Sequence, residues 1–581
     1  MTTLRAGRTS TYDKHPVVPV GAAHEVTVGA EAIAALLRDV DVRILAVEVY
    51  PGVRAADLAC VVDLLDADLV VDVSGAYLPS AELAARVGPD LTDDPLFGRL
   101  NDFTVADFFD PAALAGLRQQ VAGCPGRVVV VGTGAALVCP ADALVYADLA
   151  RWEIQQRQRS GEVGNLAADN AGERASLLYK RAFFLDWRAA DRQKAILLDR
   201  IDFFLDTTVG ERPLLVSGDA VRRGLTQTAA QPFRVVPFFD PAPWGGQWIR
   251  EVCDLPEGPA NYGWGFDCVP EENSLLLGFG DERVELPALN LVLHRPAELL
   301  GPRVVERFGV EFPIRFDFLD TMGGGNLSLQ VHPLTDQIRE EFGWGYTQDE
   351  SYYLLDAEPG AYVYLGLRED VDPERMLAGL QAAQDGGPDF PAKDHINIVP
   401  ARKHDHFLIP AGTVHCSGAG SMVLEISATP FIFTFKLWDW GRLGLDGRPR
   451  PINVERGRRA ICWDRRATYA ERELINVVTP LAAGDGWTSE RTGLHPAEPI
   501  ETHRHWFEGT VPHTTGGSVN VLNLVEGQEA AVESPSGAFA PFVVHYAETF
   551  IVPAAVGDYT VRPHGPSVGR RCATLKAFVR P

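Results

Sequence analysis

Near residue 232 the sequence changes texture, and this change constrains the possible fold more than any other feature. Upstream, Val42 to Val49, Asp68 to Val73 and Arg127 to Gly132 (RVVVVG) read as short apolar strands, with Leu214 to Ser217 as a last one. Helix-like segments separate them, a pattern that predicts a parallel sheet with helical crossovers. Ala147 to Gln158 reads as a helix carrying Leu149, Trp152 and Gln156 on one stripe, and Ala189 to Phe204 as a second. Downstream, prolines, glycines and aromatics become dense, as in Phe238 to Gly246. Short alternating runs with turn residues at about 8 to 12 positions predict an all-β sandwich or barrel. One helix interrupts it, Asp372 to Gln384, with Asp372 as N-cap and Pro373 in the first helical position. The polar stretch Ala483 to Pro499 reads as a seam before a final β-rich segment. The expected organisation is multidomain: an N-terminal α/β domain with a parallel sheet over 1–225, a β domain with a helical insertion over 226–482, and a smaller β domain over 483–581.

Composition narrows the function classes. The 581 residues suffice for three or four domains at roughly 150 residues each. Apolar residues make up 46% and charged residues 23%, as in ordinary globular proteins that bury a core. A net charge of -25 disfavours nucleic acid and anionic membrane surfaces as partners. The most apolar stretch, Leu58 to Val73, is broken by Asp63, Asp66, Asp68 and Asp72, so no membrane span is expected. The N-terminus has no apolar run of the signal-peptide kind. Eight cysteines occur without a CxxC pair, which predicts reduced thiols and a cytoplasmic protein.

Three segments of the β region carry chemistry. In Leu327-Ser-Leu-Gln-Val-His-Pro333, an extended strand points Gln330 and His332 to one face. In Asp349-Glu-Ser-Tyr-Tyr-Leu-Leu355, Glu350 heads an apolar strand. In His406-Phe-Leu-Ile-Pro-Ala-Gly-Thr-Val-His415, a Pro-Ala-Gly turn delivers His415 to the start of the next strand. Two imidazoles, a carboxylate and an amide oxygen make a mixed N/O set that suits zinc. A metal with an open position could act as a Lewis acid. A QxH pair alone ordinarily just faces solvent, so the weight rests on the ordered set.

These segments, followed by Gly420-Ser-Met-Val-Leu-Glu425, Trp438-Asp-Trp-Gly-Arg442 and Asp446-Gly-Arg-Pro-Arg450, and preceded by Pro243-Trp-Gly-Gly246, resemble the type I phosphomannose isomerases of the cupin superfamily over about 232–581. The resemblance implies a bicupin (jelly-roll) fold and one zinc ion per chain held by Gln330, His332, Glu350 and His415. It also implies an aldose–ketose isomerase interconverting mannose 6-phosphate and fructose 6-phosphate through an enediol. Lys436, Arg442, Glu425 and Asp439 are then the candidate catalytic residues, and Arg315, Ser328 and His406 the candidate substrate contacts. The chain departs from the family pattern where Asp317 and Gln348 replace lysines and Lys436 replaces an arginine, whose bidentate fork lysine lacks. The competing readings are an isomerase of a different sugar and a non-catalytic, metal-containing sugar-binding or sensor protein.

Two further motifs are weaker. Glu501-Thr-His-Arg-His505 has the HxH spacing of a second metal site, in a segment resembling the family's C-terminal cupin, which usually carries no metal. Gly132-Thr-Gly-Ala135 after the RVVVVG strand could cradle a phosphate. The cations Arg151, Arg157, Arg159, Lys180, Arg181, Arg188, Arg192 and Lys194 could form a kinase-like lid. No GxxxxGK[ST] motif is present, which favours a degenerate nucleoside-kinase-like domain with a regulatory or assembly role over an active kinase.

Overall fold

The computed structural model describes residues 10–428, 431–444, 447, 450, 452–493 and 495–580. Its N-terminal half is built on a seven-stranded sheet in the order Val26–Val28, Leu214–Ser217, Phe203–Asp206, Ala143–Asp148, Ile44–Val49, Val128–Gly132, Leu69–Asp72. The last five run parallel to one another, and Leu214–Ser217 is antiparallel to both of its neighbours. Ile44–Val49 and Ala143–Asp148 are buried along their whole length. Strands covered on both faces need the continuous apolar sequence that made the first of them readable. The crossover helix Pro111–Gly123 starts as local chemistry dictates: Asp110 accepts hydrogen bonds from the amides of Ala112 and Ala113, and Pro111 occupies the first turn.

Two expected helices are shorter than the sequence suggested. Ala147 and Asp148 end the strand Ala143–Asp148, and the helix runs Arg151–Arg159. It buries Arg151, Ile154, Arg157 and Gln158, while Trp152 and Gln156 stay half-buried. Partners elsewhere in the fold therefore set the buried face, not the apolar stripe. The second helix, Trp187–Leu197, stops early, and Phe203 and Phe204 belong to a strand.

Two facing sheets make up the next unit. One has the order His406–Ile409, Glu350–Ala357, Ser421–Ser427, Arg315–Asp320, Trp264–Cys268, Phe238–Asp240; the other Ile396–Pro400, Tyr362–Leu367, His415–Ser417, Leu329–Val331, Phe435–Trp438. All their pairings are antiparallel. The helix Pro373–Gln384 is capped as the sequence predicts, with the Asp372 side chain accepting from the amides of Glu374 and Arg375. A second sandwich follows. Its six-stranded sheet begins Thr479–Gly484, Trp487–Gly493, so the expected polar seam is largely a hairpin. Its four-stranded sheet holds Val511–Thr514, Asp558–Pro563, Glu529–Glu533 and Phe542–His545.

The N-terminal half packs directly on the first sandwich. Val17–Gly21 pairs in parallel with Ser274–Phe279. The Phe97 ring meets Phe342, Phe433 and Phe435, and Phe183 and Phe184 meet Phe431. Aromatic side chains bury large areas, and such a cluster fixes the two units against each other. Among the described residues, no helix is long and apolar enough to cross a membrane.

Candidate metal centre

The three sequence segments converge where the sheets of the first sandwich face each other. His332 follows the strand Leu329–Val331 and His415 opens His415–Ser417, both on one sheet. Glu350 opens Glu350–Ala357 on the other. The turn before His415 requires glycine. Gly412 has φ +90°, and a β-carbon there would lie 2.6 Å from the Cys462 sulfur.

His332 Nε2 lies 3.0 Å from Glu350 Oε2, and His415 Nε2 lies 2.9 Å from Glu350 Oε1. His332 Nδ1 donates to the Phe433 carbonyl at 2.9 Å and His415 Nδ1 to that of Thr413 at 2.8 Å. Each backbone contact fixes the tautomer, leaving the two Nε2 lone pairs directed at one point. The Gln330 amide is 3.2 Å from His415 Nε2, and a half-turn of that amide exchanges its oxygen for its nitrogen. His332 Nε2 and Glu350 Oε1 are buried without a hydrogen bond of good geometry. Orphaned donor atoms of this kind, all three residues offering one ligand atom within 4.8 Å of the others, fit a metal ion. Burial pushes the Glu350 carboxyl up, but the two imidazoles outweigh it and hold it well below the ordinary carboxylate range. Burial lowers His332, and the Glu350 charge, with the Phe433 backbone contact, more than reverses this.

The trio lies behind a cavity of about 410 Å³ whose lining includes Arg315, Asp317, Ser328, Gln330, Gln348, Glu425, Lys436 and Arg450. Gln348 donates to Glu350 at 3.0 Å. Burial pushes the Glu425 carboxyl well above its usual value, and the Glu350 and Asp317 charges push it further. Burial, partly offset by Arg315, raises Asp317 to about 7. Arg315 and Asp317 pair at 3.7 Å. Burial and the nearby Arg450 charge pull Lys436 down to about 7. Asp439 stands behind the wall as a hub, accepting from Ser328 at 2.9 Å, Arg442 at 2.5 Å and Arg450 at 2.8 Å. Arg442 also sits outside the cavity lining.

His406 does not join this group. It is fully buried beside Tyr353, with ring centroids 5.7 Å apart, and burial lowers its pKa to about 3. In the antiparallel register it stands opposite Tyr353, three residues beyond Glu350, so strand alternation turns it to the other face. Asp446, Arg448 and Pro449 of the expected motif lie outside the described residues. The sequence reading missed the other wall, formed by Trp152, Gln155, Gln158, Arg159, Ser176 and Tyr179. No local signal marks them, because what they line is contributed by residues far along the chain.

The weaker motifs take other roles. Among the described residues, His332, Glu350 and His415 make the one cluster of three or more metal-type side chains; His503 pairs with Glu501 at 2.6 Å, and His505 packs against His513. The loop after RVVVVG holds a carboxylate of the chain itself. Gly134 and Ala136 amides donate to Glu48 at 2.6 and 2.8 Å, taking up groups a phosphate would need. Several of the suggested lid cations are internal ion pairs, including Arg157 with Asp57 and Lys194 with Asp148.

A family model described as "Domain of unknown function (DUF8485)" matches residues 29–230. The mannose-6-phosphate isomerase of Streptococcus mutans serotype c (strain ATCC 700610 / UA159) is 28% identical over 292 residues, covering 49% of this chain and 82% of that protein. The probable mannose-6-phosphate isomerase GmuF of Bacillus subtilis (strain 168) is 27% identical over 153 residues, 26% of this chain and 45% of its own length. The crystal structure of the mannose 6-phosphate isomerase from Bacillus subtilis aligns with a TM-score of 0.48 at 17% identity, over 60% of this chain and 99% of that one.

Proposed function

From the premise that the C-terminal part of the chain is type I phosphomannose isomerase-like, we propose that the protein is a zinc-dependent aldose–ketose isomerase of a phosphorylated hexose, with mannose 6-phosphate and fructose 6-phosphate as the pair to test first. The observation that carries this reading is the convergence of His332, Glu350 and His415, with Gln330 beside them, behind a cavity lined by Gln330, Gln348, Glu425 and Lys436.

Gln330, His332, Glu350 and His415 would hold the ion, which when bound would supply Lewis-acid polarisation of the sugar's carbonyl and hydroxyl oxygens. The chain's own residues do the remaining work. The reaction moves a proton between C1 and C2, and Glu425 is the carboxylate that lines the cavity next to Glu350, so it is assigned as proton acceptor and donor. Lys436 supplies positive charge to the phosphate end, and Arg450, held by Asp439, lines the wall beside it. Asp439 positions Arg450 and Ser328 from behind, and Arg442 braces Asp439 in turn.

The test is zinc content of the purified protein with a coupled assay of sugar-phosphate interconversion, using His415→Ala as control. About one zinc per chain, with turnover lost in the variant, supports the isomerase. Zinc without turnover moves the assignment to a sugar-binding or sensor protein. That second reading is favoured by the pairing of Arg315 with Asp317 and of Arg450 with Asp439, which neutralises two of the cavity's cations.

A further inference from the structure

The helix Arg151–Arg159 begins three residues after the strand Ala143–Asp148, at the carboxyl end of the parallel sheet, where open α/β sheets present their binding crevice. Here that edge faces the cavity of the metal sandwich. The helix is clamped there by several contacts. The Trp152 ring stacks on Phe238 with centroids 4.1 Å apart. Gln155 donates to Glu272 at 3.2 Å, and Tyr179 donates to the other Glu272 oxygen at 2.7 Å. Arg159 grips Asp240 with both arms at 2.9 Å.

Within this fixed wall, Gln158 stands out. It is 4% exposed, it lines the cavity, and its side-chain carbonyl oxygen has no hydrogen-bond partner. Across the cavity, Gln348 is also 4% exposed with an unpartnered carbonyl oxygen. A buried acceptor left unpaired is costly, so each implies a donor that arrives with the ligand. Sugar hydroxyls are such donors. Resting on the isomerase reading for the sugar-phosphate class, we propose that Gln158 accepts a hydrogen bond from a substrate hydroxyl, and that the segment matching a domain of unknown function is therefore the substrate-recognition wall of the site.

A site built to hydrogen-bond a hydroxyl rejects the analogue lacking it, because its own polar group is then left unpaired. The experiment is calorimetric titration of the zinc-loaded full chain with mannose 6-phosphate and its monodeoxy analogues, for the parent, Gln158→Leu and the smaller Gln158→Ala. Zinc content and melting temperature are measured alongside. The expected result is a roughly tenfold loss of affinity, the effect of one neutral hydrogen bond. One deoxy analogue should bind the parent weakly and lose nothing further in the variants, as a shared contact requires. Turnover in the parent with unchanged affinities in both variants overturns the inference and leaves the isomerase standing. Binding without turnover, weakened in the variants, overturns the isomerase and leaves the inference standing. A parent that binds neither phosphorylated nor free sugar overturns both.

Discussion

At the scale of single residues, the cavity's charges divide into those already neutralised and those still available to a ligand. Arg315 faces Asp317, and Arg450 faces Asp439. Lys436 lies on the same wall, and its depressed pKa reflects burial beside the Arg450 charge rather than pairing with a carboxylate. An arriving phosphate would relieve that repulsion, so Lys436 is the cation whose contact with phosphate should matter most. A charge-assisted hydrogen bond contributes about 1.5–3 kcal/mol. Lys436→Met is therefore expected to raise KM for a sugar phosphate by roughly tenfold or more while leaving zinc content intact. Binding of the unphosphorylated sugar, followed by titration, should be nearly unchanged. Equal losses for both ligands would show that Lys436 does not read the phosphate.

At the scale of elements, what the sequence made legible follows from where the information sits. Gln330, His332, Glu350 and His415 each stand in a short, self-contained segment whose strand periodicity or turn aims the side chain, so local reading reached them. The same local logic capped Pro373–Gln384 with Asp372. It failed for His406, whose orientation depends on register with Tyr353, and for Gln158, whose burial on a charged helix is imposed by Phe238, Asp240 and Glu272 from another unit. The contact between the two sandwiches is equally non-local. Glu526, ending Asn520–Glu526, accepts from Lys403 at 2.5 Å and His404 at 3.2 Å on the turn before His406–Ile409. The His404 hydrogen bond, then the Lys403 hydrogen bond and charge, overcome burial and lower Glu526 to about 2. Burial holds His404 itself below its ordinary value, so near neutral pH it donates as a neutral ring and Lys403 supplies the charge. A depressed carboxyl pKa stabilises the fold above its unfolded value near about 4.3 and loses that contribution as pH falls toward 2. Glu526 is about one-third exposed, so solvent screening limits its contribution to about 1 kcal/mol. Glu526→Gln should thus lower the denaturation midpoint at pH 7, with the gap to the parent closing as pH falls from about 4 toward 2. A gap constant over that range would remove the ion pair as its cause.

At the scale of the whole molecule, the site exists only where separate units are held in one arrangement, and a buried charge cluster is one of the fixings. Arg234 is 3% exposed, in the connection between the N-terminal sheet and the first sandwich. It meets Glu548 of the second sandwich at 2.8 Å and Asp267 of the first at 3.5 Å. It also donates to the backbone carbonyls of Asp13 at 2.8 Å and Thr549 at 3.1 Å, while Tyr12 donates to Asp267. One guanidinium therefore touches three regions of chain, using the fork geometry that lysine lacks. A buried ion pair adds little against a well-packed apolar replacement of all its members, but removing one partner strands the others. Arg234→Met leaves Asp267 and Glu548 buried without their cation and should cost about 3–5 kcal/mol. That loss should be seen as a lower melting temperature in calorimetry, and with it a sharper sensitivity of sugar binding to temperature, because the wall carrying Gln158 and the sheets carrying His332 and Glu350 are positioned through the same packed assembly. Retention of the parent's melting temperature would show that the cluster does not hold the units together. A lowered melting temperature with unchanged ligand affinity below the transition would confine its role to stability and leave the alignment of the cavity walls to the Phe97 and Phe431 aromatic cluster.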